Sequence, residues 1–525
     1  MTKKVRRIFL LVTVVLAVAI LAVQYKINYD INKEPPSQKW GKGKFLGQYK
    51  VNSYPKIQIE GDKYLLAIGD KSKVRVIKID NMGNKVGEKE IPVKDEIINN
   101  VTFLKAKGDN YFLSWDSRKL EANEEGYVIL DKDLNKVKDG KISGVNQTVQ
   151  LDDSTLIRAY DGWIEVEDLL TGDRQKSNIA KSDFISGAKI SKDNYLIMSV
   201  TKDGMIKYCT SKGGNLGEPK VAASLNLSTG QAILNTTVGI DNKYAYLILH
   251  KKTKFGFEAE KYNFPLEDMA KYSRGKMELP GIDEVRDVTY VSTENGTAKF
   301  LAGVSRYFGI KKQYEDIAEF YIKENKITMG DFVSKSRNVS SYGSSKGDVA
   351  VYCDYMPKNE DYKVYVTSLK DAFKNENNGL KREEKDIAFQ DTLQGFVYSF
   401  VYIIVLGIKW ILPALMLIGL ISFLEYKFSK KTKKLLYIGT AIITFLIKYE
   451  AIYSTNYKKY AYYLPEKFSS VTLGFFICLI LSVTFYSFGY LSYKDDLDAM
   501  PVAKFIPYLL LDSIFTLMVF APFML

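Results

Sequence analysis

Between Gly61 and Ile91 the chain runs through short apolar stretches separated by turn chemistry. Tyr64 to Ile68 and Val74 to Ile79 are apolar and β-prone, Gly69 to Lys73 is a polar turn, and Asp80-Asn81-Met82-Gly83-Asn84 precedes a further strand near Val86 to Ile91. This pattern predicts a three-stranded meander. Versions of it return as far as about Asp371, opening at Gly108-Asp109-Asn110-Tyr111, Asp152-Asp153-Ser154, Lys192-Asp193-Asn194-Tyr195, Asp241-Asn242-Lys243-Tyr244, Asn295-Gly296 and Lys346-Gly347-Asp348. A meander cannot bury its own faces, so it must stack on copies of itself.

Successive units lie roughly 48 residues apart, the range of four-stranded propeller blades rather than of helical repeats. The gaps leave room for a fourth strand, such as Asn100 to Lys105. Residues 45–371 therefore resemble β-propeller proteins in repeat design, with seven blades the natural count and six or eight left open by the long fifth and sixth units. The resemblance reaches no specific family: there is no run of WD dipeptides, no paired-glycine kelch signature and no complete aspartate box. Two tandem β-sandwiches are the competing reading.

The ends of the chain carry a different pattern. Lys3, Lys4, Arg6 and Arg7 precede the apolar run Ile8 to Val23, which reads as an uncleaved signal anchor over residues 1–25, with a cleaved signal peptide as the alternative. Residues 26–44, with Pro35-Pro36 and paired glycines, read as a tether, and residues 372–395 as a juxtamembrane linker or short helix. Residues 396–525 hold four more apolar stretches: Phe396 to Leu424, Leu435 to Tyr453, Val471 to Leu491 and Phe505 to Leu525. The basic loop Lys427, Lys430, Lys431, Lys433 and Lys434 belongs in the cytoplasm, as does the basic N-terminus. Both fall on one side only if the repeat domain lies outside. The expected class is thus a mainly β extracytoplasmic domain with one N-terminal and four C-terminal transmembrane helices, in a multi-pass cell-membrane protein of bacterial character.

Composition narrows the chemistry. Net charge is +13, but much of the excess flanks apolar segments, where it orients helices, and no helix-turn-helix, zinc-finger or RNP pattern accompanies it, so no nucleic-acid partner is expected. Three cysteines (Cys209, Cys353 and Cys478) and one histidine (His250) exclude a disulfide framework and a multi-histidine metal site. Walker A, H-E-x-x-H and a calcium-loop ladder are absent, so no cofactor is predicted.

Charges within the apolar stretches stand out, since each costs about 2.5–3.5 kcal/mol at mid-bilayer even on the lenient insertion scale. Counting along the helices puts Lys409, Lys448 and Glu450 at a common depth, which suggests a Lys409–Glu450 pair, with Asp512 deeper toward the cytoplasm. The plainer reading is that Lys448 and Glu450 snorkel to the interface and Lys409 only assists helix assembly. Trp115 and Trp163 could stack a glycan or peptide, although aromatics at strand positions more often pack between blades. These features fit a surface binding or sensing protein whose membrane module docks with another membrane protein. A transporter or membrane-embedded enzyme component, with the propeller as substrate collector, is the alternative, and a surface hydrolase is the weakest reading.

Overall fold

The computed structural model describes residues 3–93, 98–118, 123–179, 183–192, 194–201, 203–212, 215–225, 231–254, 256–282, 284–308, 312–336, 339–379, 381–424, 427–453, 470–494 and 501–523. The chain divides into two compact units, one a ring of sheets and the other helical. Asp193, Gly213-Gly214, the tyrosine-rich loop around Tyr457 to Tyr463 and the acids Asp495, Asp496 and Asp498 lie outside the described residues.

The ring has seven antiparallel sheets, at residues 56–92, 98–143, 147–178, 184–224, 232–276, 284–332 and 340–368. Six are complete within themselves. The seventh has three strands of its own and takes its outermost strand, Lys44–Tyr49, from the start of the ring, paired with Asp361–Ser368. This is a seven-bladed β-propeller closed by strand exchange between its two ends.

Burial within a blade explains the sequence pattern. In blade 1 the second strand, Lys63–Asp70, is buried from Tyr64 onward because neighbouring sheets cover both its faces, and the third, Lys73–Ile79, alternates. The outermost strand, Lys85–Pro92, faces mostly water and is correspondingly charged. Aspartates hold the turns: Asp80 Oδ1 accepts from the Met82 and Asn84 amides at 2.9 and 2.8 Å, and Gly83 takes φ +77°. Asp131 repeats this with the Asp133 and Asn135 amides.

The innermost strands are tied by a circuit of hydrogen bonds. Gln58 donates to the Phe103 carbonyl (2.6 Å), Asn100 to Thr148 (2.9 Å), Gln147 to Ile185 (3.2 Å), and Thr236 to Ser186 Oγ (3.3 Å). Thr237 donates to the Val288 carbonyl (2.7 Å), Thr289 to Gly343 (3.2 Å), and Lys346 Nζ to Gln58 Oε1 (2.7 Å). Each blade is thereby joined to the next, and the last to the first. Cys209 in blade 4 and Cys353 in blade 7 are buried and free.

The helical unit contains α1 (Lys3–Lys33). After the ring and a short helix α2 (Asp371–Asn377) come α3 (Arg382–Tyr402), α4 (Ile408–Leu424), α5 (Lys430–Ile452), α6 (Val471–Lys494) and α7 (Pro501–Phe520). A single π turn, Ile403–Gly407, joins α3 to α4 as one 43-residue helical stretch. Among the described residues, that stretch, α1, Lys431–Ile452 and Val471–Ser492 are long and apolar enough to cross a membrane, and α7 packs with them. Their outer faces carry exposed apolar side chains: Leu11 is 64% exposed, Ile404 73% and Phe423 79%. Polar contacts fix the packing. Asn28 donates to Thr392 Oγ1 (3.0 Å), Gln24 to the Met518 carbonyl, and Trp410 Nε1 to Ser513 Oγ (2.9 Å).

Both expected linkers prove to be partly folded. α1 continues to Lys33, and Trp40 is fully buried against Leu301, Ile317, Val333, Ala350 and Tyr352, so the second half of residues 26–44 belongs to the ring. In residues 372–395, Phe373 of α2 is buried with Val349, Val351 and Leu46, and α3 begins at Arg382.

Candidate functional site

The most concentrated polar chemistry of the helical unit lies between α5, α6 and α7. Lys448 Nζ on α5 sits 2.8 and 2.9 Å from the two carboxylate oxygens of Asp512 on α7, 2.7 Å from Ser482 Oγ on α6 and 3.1 Å from Thr516 Oγ1 on α7. Tyr486 donates to Asp512 Oδ2 at 2.8 Å, and Ser482 also lies within reach of the carboxylate. Neither charge is exposed at all. An ammonium has three protons to place, and here carboxylate and hydroxyl oxygens take them. The carboxylate in turn gains a phenol. Charge and hydrogen-bonding capacity are therefore satisfied internally, the condition under which a buried ion pair is tolerated.

This arrangement corrects the expected pairing. Lys448 does not snorkel, Asp512 faces Lys448 rather than Lys409, and Lys409 and Glu450 are exposed on their helices without forming the expected pair. Depth counting failed for a geometric reason. From Lys434 and Lys504 respectively, Lys448 lies about 9 Å farther along its helix than Asp512 does along its own. A helical side chain leans toward its helix N-terminus, so the long Lys448 stem reaches back toward Asp512 and covers part of this offset. Ser482, Tyr486 and Thr516 were missed. Their signal was the i, i+4 spacing of Ser482 with Tyr486 and of Asp512 with Thr516, which puts each couple on one helix face.

In the ring, Trp115 is buried. It lies directly across the strand pair from Gly126, whose missing side chain makes room for the indole: a Cβ there would fall 2.5 Å from the ring. Trp163 stacks flat on Tyr160, with centroids 3.7 Å apart, and Lys176 Nζ lies 4.4 Å from its centroid. Tyr160 takes one indole face and leaves only the other for the ammonium, so neither face is open for a ligand.

The axis of the ring is lined by charge. Lys346 on the innermost strand of blade 7 reaches Asp153 of blade 3, a non-adjacent blade, at 2.5 Å, while burial pulls its ammonium below the usual range. Near the opposite end of the innermost strands, burial and then Glu125 push the Asp116 carboxyl up to about 7, and burial pulls Lys56 down to about 8. Between blades 2 and 3, Arg158 is enclosed by Glu125, Glu165 and Glu167. His250 is a packing residue, accepting from the Val288 amide at 3.2 Å, and burial pulls its imidazole down to about 4. Among the described residues, no group of three or more His, Cys, Asp or Glu could hold a metal ion.

No family model matches the chain, and no curated protein is similar to it. Solved structures similar to the ring include BBS1N in complex with ARL6DN, with 11% identity over 63% of this chain and 98% of that one and a TM-score of 0.38. The β-propeller domain of the Trilobed protease from Pyrococcus furiosus matches at 10% identity over 63% and 98%, with a TM-score of 0.37. The β-propeller domain of Cps50 (Swd1) from Myceliophteria thermophila matches at 10% over 61% and 98%, with a TM-score of 0.39. At such identities, and with TM-scores below 0.5, these likenesses add no argument to the sheet topology described above.

Proposed function

We propose that this chain is a cell-membrane protein that presents a seven-bladed propeller outside the cytoplasm as a binding or sensing surface, on a helical module that docks with another membrane protein. One observation carries the orientation. The ring is inserted between α1 and α3, and the basic residues Lys3 to Arg7 and Lys427 to Lys434 lie at the far ends of the helices that flank it. The positive-inside rule then places both clusters in the cytoplasm and the ring outside.

A scaffold role is favoured over a transport path by the state of the buried pair. Lys448 and Asp512 have filled each other's coordination with Ser482, Thr516 and Tyr486, which stabilises one helix arrangement and leaves the charges no need of a passing solute. The transport alternative rests on the same hydroxyls, which could also relay a proton.

Protease added to intact cells should remove the mass of the ring while sparing a C-terminal fragment containing α3 to α7. Full resistance until the membrane is permeabilised overturns the orientation. Replacing either Lys448 or Asp512 alone separates scaffold from path: loss of helix assembly supports the scaffold, whereas normal assembly with loss of a solute flux supports transport.

A further inference from the structure

We propose that the helical module meets its membrane partner along the exposed face of the α3–α4 stretch centred on Lys409, and that the partner presents there a transmembrane helix carrying an aspartate or glutamate. One side of α4 is buried, where Trp410, Ala414 and Ile418 pack inside the helical unit. The other side is an exposed apolar stripe at helical spacing, formed by Val401, Val405, Leu412, Met416 and Leu420, with Lys409 at its middle. Among the described residues no hydrogen bond or ion pair takes the Lys409 ammonium. Pro413, one turn on, has no amide hydrogen, so the Lys409 carbonyl also loses its i+4 helical donor.

Position along the stripe rules out an easy escape for the charge. From Val397 to Phe423, both exposed, the stripe is about 39 Å long at about 1.5 Å per residue, with Lys409 about 18 Å from one end and about 21 Å from the other. Tilted to fit a hydrocarbon core of about 30 Å, it holds Lys409 near mid-bilayer, farther from either headgroup layer than a lysine stem reaches. Held upright with its first turns outside the bilayer, it leaves Val397, Val401 and Val405 bare to water. Lipid satisfies neither arrangement. A helix with a carboxylate opposite Lys409 covers the stripe and pairs the charge in either. A second copy of the chain fits less well, because the acids within α5 to α7 are taken: Asp512 is sealed against Lys448, and Glu450 is already engaged. The inference rests on the docking reading above and names the face and the partner chemistry that docking uses.

The test reconstitutes the full chain in phosphatidylcholine vesicles with leucine-based transmembrane peptides that carry either aspartate or leucine at the centre, and reads association by energy transfer between labels. Association of the aspartate peptide about ten-fold tighter than that of the leucine peptide is expected, lost in Lys409→Leu and kept in Lys409→Arg. Because Lys409 is exposed, neither change disturbs the buried side of α4. Equal association of the two peptides, or a preference unchanged in Lys409→Leu, overturns the site. In membranes of cells that make the protein, a photo-crosslinker placed at Met416, and at the exposed Ile442 on α5 outside the stripe, separates this inference from the docking reading. The expected result is a protein adduct at Met416 whose crosslinked span contains an aspartate or glutamate, and which disappears in Lys409→Leu. A protein adduct at Ile442 alone refutes this face and leaves docking in place, an adduct between two copies overturns the partner's identity, and lipid adducts alone at both positions refute docking itself.

Discussion

Lys448 and Asp512, 64 residues apart, form a two-pronged ion pair sealed from solvent between three helices. Removing one partner strands the other charge in an apolar interior, which costs about 3–5 kcal/mol, whereas replacing both with apolar residues of similar volume removes the pair and its desolvation together. Lys448→Met and Asp512→Leu should each destabilise the helical unit strongly, and the double variant should recover most of the loss. Tyr486→Phe should cost less, about 1.5–3 kcal/mol, because the ammonium still covers the carboxylate. Unfolding in detergent micelles measures all four, and additive single losses would show that the pair is not coupled.

The two tryptophans should respond differently. Trp115 sits in the core of blade 2, so Trp115→Ala should cost about 3–5 kcal/mol. Gly126→Ala should also destabilise, because its new methyl would overlap the indole. Trp163 opens the strand Trp163–Asp168, stacked on Tyr160 before it and near Lys176 on the next strand, and its loss should cost roughly 1–2 kcal/mol through stacking and cation–π terms. Thermal unfolding of the full chain in nanodiscs orders these variants; a larger loss at Trp163 would contradict the packing described.

Stability of the ring should fall as pH rises from about 4 toward about 7. Burial holds the Asp116 and Asp354 carboxyls up to about 7, while in the unfolded chain they ionise near 3.8. Between those values the unfolded state sheds protons that the folded state keeps, so the contribution is full at the acid end and lost toward neutrality. Lys56, pulled down to about 8 by burial, acts at higher pH, whereas His250, pulled down to about 4, works in the opposite direction between about 4 and 6.5 and offsets part of the fall from the two carboxyls. Asp116→Asn and Asp354→Asn should narrow the difference in melting temperature between pH 5 and pH 8. An unchanged difference would show that other groups carry it.

What could be read from the chain alone was what local chemistry encodes. Turns such as Asp80 to Asn84 form from their own atoms, and second strands such as Tyr64 to Ile68 advertise burial on both faces, so blades and their count were legible. The same holds for the apolar helices. Partnerships set by rotation or by distant chain were not. Lys448 and Glu450 are two residues apart on one helix and therefore face different directions, which depth alone cannot resolve, and only packing chose Lys448 for Asp512. Lys44–Tyr49 pairs with a strand some 300 residues away, and no local signal marks that choice.

That pairing makes the ring dependent on a segment that looked like tether. Trp40 is buried between blades 6 and 7, Thr367 donates to the Gly41 carbonyl at 2.6 Å, and a side chain at Gly43 would meet the Tyr352 hydroxyl. Trp40→Ala should therefore cost about 3–5 kcal/mol, with Gly43→Val adding steric displacement of the same closure. The damage should begin at the seam, since the strand Lys44–Tyr49 has a neighbour on one side only. Hydrogen exchange would locate it: amides of Asp361–Ser368 that bond to the first strand should lose protection well before those of Asn194–Val200 in blade 4. Uniform loss across all blades would mean that the ring unfolds as one cooperative body and that closure is no weaker than any other blade contact.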